Sequence, residues 1–259
     1  MPPSSATDRA LQDEVIRALA DAPFRASPEW RRLALADPDR VERYARFLAR
    51  HFYHERIVHF FKYSRALSRI TGRQPEAVLR RAEFDAVLSA AVLGSRETAR
   101  AVSRLVLHYV GAAEADIPFL GDLLRYEEAM MVVEAGPRIW RDAVGGAGSG
   151  ERYLPERVEG TVVLELAFDL PAVLPKLLAP WTEVPLAPKR AIKLLVARSP
   201  HGRVAVARSD ESVTAVVQLA DGTRTLEELA AGAGIEVNAL QETLQGLVDL
   251  GAVRFSTGS

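Results

Sequence analysis

The stretch AIKLLVARSPHGRVAVA, residues 191–207, decides the reading of the chain's second half. Two aliphatic, β-branched runs, Ala191–Arg198 and Val204–Ala207, flank Ser199-Pro200-His201-Gly202, and strands around a proline/glycine turn predict a β-hairpin. Downstream, Ser209 is placed to cap a helix to about Ala220, and Asp221-Gly222 turns the chain. Thr225 caps a short helix through Ala231, and a third helix begins at Asn238 or its neighbour and stops at Gly251. Ala252–Ser256 closes as a strand. Two strands, three short helices and a final strand give a winged-helix-like order. Upstream, the β-branched stretch Thr161–Phe168 predicts a further strand.

The first half has the other period. Leu11, Val15, Ile16 and Leu19 recur at helical spacing. Ser27-Pro28 and Asp37-Pro38 each place a cap before a proline in the first helical turn, the second opening a long helix to Ile70. Seven of the chain's 18 aromatic residues lie in it: Tyr44, Phe47, Phe52, Tyr53, Phe60, Phe61 and Tyr63. At about 100° per residue they surround the axis, which predicts a helix central in a bundle or covered by another subunit. Further helices are predicted over Pro75–Leu93, from Ser95 to Val110, and after Pro118. The fold class is therefore α+β, with residues 1–142 a helical bundle and 153–259 a small winged-helix-like domain. The glycine run 145–150, within 143–152, reads as a flexible linker.

Composition narrows the function. The 259 residues carry 33 Lys+Arg against 34 Asp+Glu, so no bulk positive field favours nucleic acid. There is no cysteine, which removes disulfides, thiolate metal sites and cysteine nucleophiles together. The amino-terminal stretch has no apolar core of signal-peptide length and no window reaches membrane-span length, so a cytoplasmic address and no membrane partner are expected.

Catalytic constellations are sparse. His51, His54, Glu55 and His59 fall within an arc of about 140° on a helix, and pairs of them could share a metal. The spacing fits neither a zinc-hydrolase helix nor the Glu-x-x-His step of a di-iron bundle. We therefore read these histidines as structural, in a crowded aromatic core or interface. No Gly-x-Ser-x-Gly elbow or phosphate-binding glycine loop occurs. The third helix of the second half carries Gln241, Glu242, Gln245 and Asp249 with no Lys or Arg, a poor surface for phosphates. What the hairpin offers is a sheet edge to which an extended peptide can add. Arg190, Lys193, Arg198, Arg203 and Arg208 crowd it and favour an acidic or polar peptide, with Leu195, Val204 and Val206 completing the expected docking set.

Two stretches resemble known families. Val217 through Leu229, with its Asp221-Gly222-Thr223-Arg224-Thr225 turn, and the exit Leu247-Val248-Asp249-Leu250-Gly251-Ala252-Val253 resemble leader-peptide recognition domains of enzymes that modify ribosomally made peptides. In the first half, Arg46-Phe47 through Arg56, Phe60 through Leu67, and Ile117-Pro118-Phe119-Leu120 with Tyr126-Glu127 are similar to the helical accessory subunits of multinuclear iron oxidases of the methanobactin-synthase type. The resemblance implies a non-catalytic subunit that captures a precursor peptide, while the iron resides in a partner oxidase acting on cysteine in that peptide. No cofactor is then expected in this chain. The face towards that oxidase would include His51, His54, Glu55, Phe60, Phe61, Tyr63, Phe119 and Tyr126. The alternative is a winged-helix transcriptional regulator that binds DNA. A third reading makes the helical half a metalloenzyme.

Overall fold

Asp21, Ser27 and Asp37 each stand before a helix with proline in its first turn, and each side chain accepts a backbone N–H, from Phe24, Trp30 and Arg40 respectively. Such caps satisfy donors that the first turn otherwise leaves open. The computed structural model describes residues 5–33, 37–135 and 153–257. The chain divides into two compact units, Met1–Asp116 and Ile117–Ser259.

In the first unit, α1 (Ser5–Ala20), α2 (Ala22–Ala26) and α3 (Pro28–Arg32) lead into α4 (Pro38–Phe60). Short helices α5 (Lys62–Ala66) and α6 (Ser68–Thr71), a 3-10 turn at Pro75–Arg80, α7 (Ala82–Leu88) and α8 (Arg96–Gly111) follow. Helix α4 corrects two expectations. It is amphipathic rather than apolar all round: Ala45, Ala49, Tyr53, Ile57 and Phe60 form its buried stripe, whereas Tyr44 and Phe47 are exposed. It also ends at Phe60 rather than Ile70. A straight continuation would set Phe61 about 100° round from Phe60. Instead Phe61 leaves the helical conformation (φ −95°, ψ 31°), and Phe60, Phe61 and Leu67 are all buried. Gly72, at φ 66°, ends the last of these short helices.

The second unit begins with α9 (Leu120–Glu134) and continues with β1 (Tyr153–Arg157), β2 (Val162–Leu166), a 3-10 turn at Leu170–Ala172 and α10 (Leu174–Leu178). Then come β3 (Ile192–Arg198), β4 (Val204–Ser209), α11 (Glu211–Leu219), α12 (Leu226–Ala233), α13 (Val237–Leu250) and β5 (Val253–Thr257). The chain is thus α+β, with the strands in its second unit. The sequence placed the domain boundary at 143–152, a segment outside the described residues. The compact units instead meet between Asp116 and Ile117, and α9 packs on the strands of its own unit.

Strands β2, β3 and β4 form an antiparallel sheet with β3 in the middle, and β1 pairs with β5 in a separate ribbon. Side chains alternate across the sheet. One face presents Val162, Leu164, Val196, Val204 and Val206 to Ala129, Met130 and Val133 of α9. The other presents Val163, Leu195 and Ala197 to a core built from Val216, Val217, Leu229, Leu240, Leu244 and Leu247 of α11, α12 and α13. Helix α12 starts with a full capping box between Thr225 and Glu228. Strand β1 was not predicted. Its Pro155 weakens the strand signal, and its partner β5 lies a hundred residues away in sequence.

Helix α13 ends on Gly251, at φ 81°, where a Cβ would lie 2.1 Å from the carbonyl oxygen of Arg198 at the end of β3. Close approach and left-handed backbone both demand glycine there. Gly246, inside the same helix, has nothing within 4 Å of its would-be Cβ. We predict that Gly251→Ala destabilises the protein by about 2–4 kcal/mol. Gly246→Ala should be stabilising by up to about 1 kcal/mol. Urea unfolding of both variants checks the contrast, and equal midpoints would contradict it.

Candidate functional site

The hairpin joining β3 to β4 fixes which backbone groups are free. Gly202 N–H donates to Ser199 O at 2.8 Å, Ser199 N–H donates to Arg203 O at 2.8 Å, and Gly202 adopts φ 77°. This is a three-residue loop closed by a glycine bulge. From the bonded pair Ser199 and Arg203 the antiparallel ladder alternates. Ala205, Ala207 and Ser209 therefore point their N–H and C=O groups at β3, and Val204, Val206 and Arg208 point theirs outwards along the edge of β4, which is open among the described residues. Strand β3 is paired on both sides, so its own residues have no edge to offer.

The side chains of the predicted docking set are largely engaged already. Leu195 is 1% exposed and belongs to the core against the helices. Arg198 is 9% exposed, on the sheet face that also carries Val204 and Val206, and those two valines pack towards α9. Of the two valines the main chain, not the side chain, is presented at the edge. Lys193 pairs with Glu165 directly across on β2 at 3.3 Å and with Glu211 at 2.8 Å. The Glu211 hydrogen bond comes first, ahead of the one from Glu165, in holding its pKa above the ordinary value. Arg190 and Arg208 both bond to Asp169, Arg208 at 2.6 Å. Arg203 remains exposed at the loop. Three of the five basic residues, Arg190, Lys193 and Arg208, thus already face carboxylates.

Asp169 is the residue that sequence reasoning missed. Its side chain is 3% exposed and accepts from two guanidiniums. Burial acts to raise its pKa, and the bonds and charges of Arg208 and Arg190 outweigh that and hold the carboxyl below its usual range. Asp122, in the first turn of α9, is a second buried carboxylate. One oxygen bonds to Arg125; the other accepts from the backbone N–H groups of Ala167 at 2.6 Å and Phe168 at 3.0 Å. It ties α9 to the exit of β2. Neither aspartate sits in a motif: apart from the Asp122–Arg125 pair, their partners lie 21 to 46 residues away in the chain.

Between these two clamps, at the end of the sheet where β2 leaves and β3 enters, lies a cleft of about 680 Å³. Arg125, Lys193 and Arg208 line it with Glu165, Asp210 and Glu211, over an apolar floor that includes Leu166 and Ile192. It meets the end of the open β4 edge at Arg208 and Ser209. The arrangement suits binding: main-chain donors and acceptors in a row, then an amphipathic hollow with charges of both signs.

In the first unit, His51, His54, Glu55 and His59 lie on exposed positions of α4, not in an aromatic core. His54 and Glu55 approach to 3.6 Å. No group of three His, Cys, Asp or Glu residues placed to hold a metal ion occurs among the described residues. Of the predicted partner face, Phe60 and Phe61 are core residues, as are Phe119 and Tyr126 in the second unit, and Tyr63 is half-buried. Only His51, His54 and Glu55 are surface groups. No helix among the described residues is long and apolar enough to cross a membrane.

The Asp169 clamp has a pH signature. A carboxyl whose pKa is lowered on folding adds stability above its unfolded pKa, near 4, and loses that contribution as pH falls through the folded value. Wild type should therefore lose stability faster than Asp169→Asn on acidification below about pH 4. Near neutral pH the variant should be the less stable of the two. Denaturant midpoints across pH 2–7 check this, and parallel acid limbs would contradict it.

A scan against protein-family models found none that matches the chain, and a search of curated proteins returned no match.

Proposed function

We propose that this chain is a non-catalytic subunit that captures an extended precursor peptide by strand addition along the open edge of β4. The observation that carries the reading is the row of outward main-chain groups at Val204, Val206 and Arg208, leading into the cleft between Arg125, Lys193 and Glu211. Main-chain pairing supplies affinity with little regard to side-chain identity, and a pocket at the end of the strand adds selectivity. Because Arg190, Lys193 and Arg208 already face carboxylates, the peptide is held chiefly by backbone bonds and by the cleft, with Arg203 the exposed cation at the hairpin.

The resemblance of both halves to a leader-recognition domain and to an oxidase accessory subunit adds the second part of the proposal. The captured peptide is a ribosomally made precursor, and its cysteine is oxidised by a separate multinuclear iron oxidase. The exposed His51, His54 and Glu55 face of α4 is offered to that partner. The iron belongs to the oxidase. The DNA-binding alternative has less to support it, since α13 exposes Glu242, Gln245 and Asp249 and carries no basic residue.

The test is a titration of fluorescently labelled candidate precursor peptides, encoded near the gene, against the full chain. Val206→Pro removes one outward N–H while leaving the ladder to β3 intact, as an edge position permits. Val206→Ala keeps the N–H and trims only the packing towards α9. We expect the proline variant to bind at least tenfold more weakly and the alanine variant to bind within about threefold of wild type, the loss of one hydrogen bond being about 1–1.5 kcal/mol. Equal affinity of wild type and Val206→Pro would remove β4 as the docking edge. Tight, sequence-selective binding to duplex DNA would hand the case to the regulator.

A further inference from the structure

Helix α4 carries a surface that peptide capture does not use. Arg40, Arg43, Tyr44, Phe47, His51 and His54 project within an arc of about 100°. No carboxylate of α4 falls inside that arc, and Glu55 lies at its margin. At its amino-terminal end the stripe meets α1 across a groove of about 570 Å³ lined by Val15, Leu19, Val41, Tyr44 and Phe47. The two charged residues lining it are both arginines, Arg40 and Arg43. Tyr44 and Phe47 are stacked, with ring centroids 6.3 Å apart and planes 17° from parallel, and they are 52% and 63% exposed. Ile16 and Leu11 of α1 are also large exposed apolar residues, at 65% and 43%.

Folding alone gives no reason for this concentration. The buried stripe of α4 is complete without Tyr44 and Phe47, and an aliphatic groove rimmed by exposed aromatic side chains is costly to leave in water. Arginine and tyrosine are also the residue types that most often dominate binding energy at protein interfaces. The arginines are available. Arg43 has only a loose contact with Asp37, 4.0 Å between two exposed groups, and such pairs contribute little. Arg40 uses its backbone N–H to complete the Asp37 cap and leaves its guanidinium at the rim.

From the charge on the rim and the apolar lining, we propose that the α1/α4 groove is a docking site for an acidic amphipathic helix of a partner protein. Its apolar face would lie between Val15, Leu19, Tyr44 and Phe47, and its carboxylates would meet Arg40 and Arg43. A groove formed between two helix surfaces suits a third helix laid along it. The inference uses nothing of the β4 edge, which belongs to the other unit.

The probe is a labelled helical peptide of about 18 residues with leucine on one face and glutamate on the other, titrated against the full chain, beside a counterpart with lysine for every glutamate. The glutamate peptide should bind and the lysine peptide should bind at least tenfold more weakly. Tyr44→Ser with Phe47→Ser should abolish binding. Arg40→Glu with Arg43→Glu should reverse the preference between the two peptides, an exchange that nonspecific hydrophobic sticking does not produce. All four positions are exposed, and unchanged thermal midpoints verify that the variants fold. Equal binding of both peptides, or binding unaffected by these variants, would overturn the proposal. So would concentration-dependent self-association lost in Tyr44→Ser with Phe47→Ser, which would assign the groove to a second copy. Sedimentation with anionic vesicles that outcompetes the glutamate peptide would assign it to a membrane surface and overturn the proposal equally.

Discussion

The second unit depends on one strand buried on both faces. Leu194, Leu195, Val196 and Ala197 of β3 are each no more than 1% exposed, although alternate residues point to opposite sides of the sheet. This is possible only because α9 covers one face and α11, α12 and α13 the other. The same strand is the middle one of its sheet, paired with β2 on one side and β4 on the other. The openings of the sheet are pushed to β2 and β4, and the close of α13 against Arg198 O fixes how the helices sit on it. Asp122 and Asp169 then lock the end of the sheet, one to α9 and the other to the entry of β3 and the exit of β4. The cleft lies at this end of the sheet, lined by Arg125 and Arg208, one partner from each clamp.

Much of this was legible in the residues. The proline and glycine of the 199–202 turn gave the hairpin, Thr225 gave a helix start, and Gly251 gave a helix end, because each imposes a local backbone geometry. The burial of β3 was also readable in principle. Four consecutive apolar residues signal burial on both faces, whereas a strand with one wet face alternates. Treating Leu195 as a docking residue ignored that signal. The helix expected over 38–70 failed for a related reason: aromatic density was read as burial all round, yet the stripe Ala45, Ala49, Tyr53, Ile57 and Phe60 already supplies a complete buried face.

What the residues did not give was long-range pairing. The basic cluster near the hairpin reads as a free patch until Asp169, Glu165 and Glu211 are seen to neutralise it, and those carboxylates lie in three different segments. Likewise β1 becomes a strand through β5, with the cross-strand pair Glu156 and Arg254 at 2.9 Å, and through a bridge from Glu156 to Asp221. The open β4 edge emerges from topology, since no sequence pattern states that β3 is the middle strand. In the proposed reading, binding is carried by backbone placement more than by any set of side chains.

Amide hydrogen exchange along β4 tests this account most directly. In the free protein the N–H groups of Val204, Val206 and Arg208 should exchange fast, and those of Ala205, Ala207 and Ser209 slowly, because only the second set is bonded to β3. Saturation with a bound precursor peptide should slow the first set and leave the second unchanged. Protection of Val204, Val206 and Arg208 in the free protein, or fast exchange there in the peptide-saturated protein, would contradict capture along this edge.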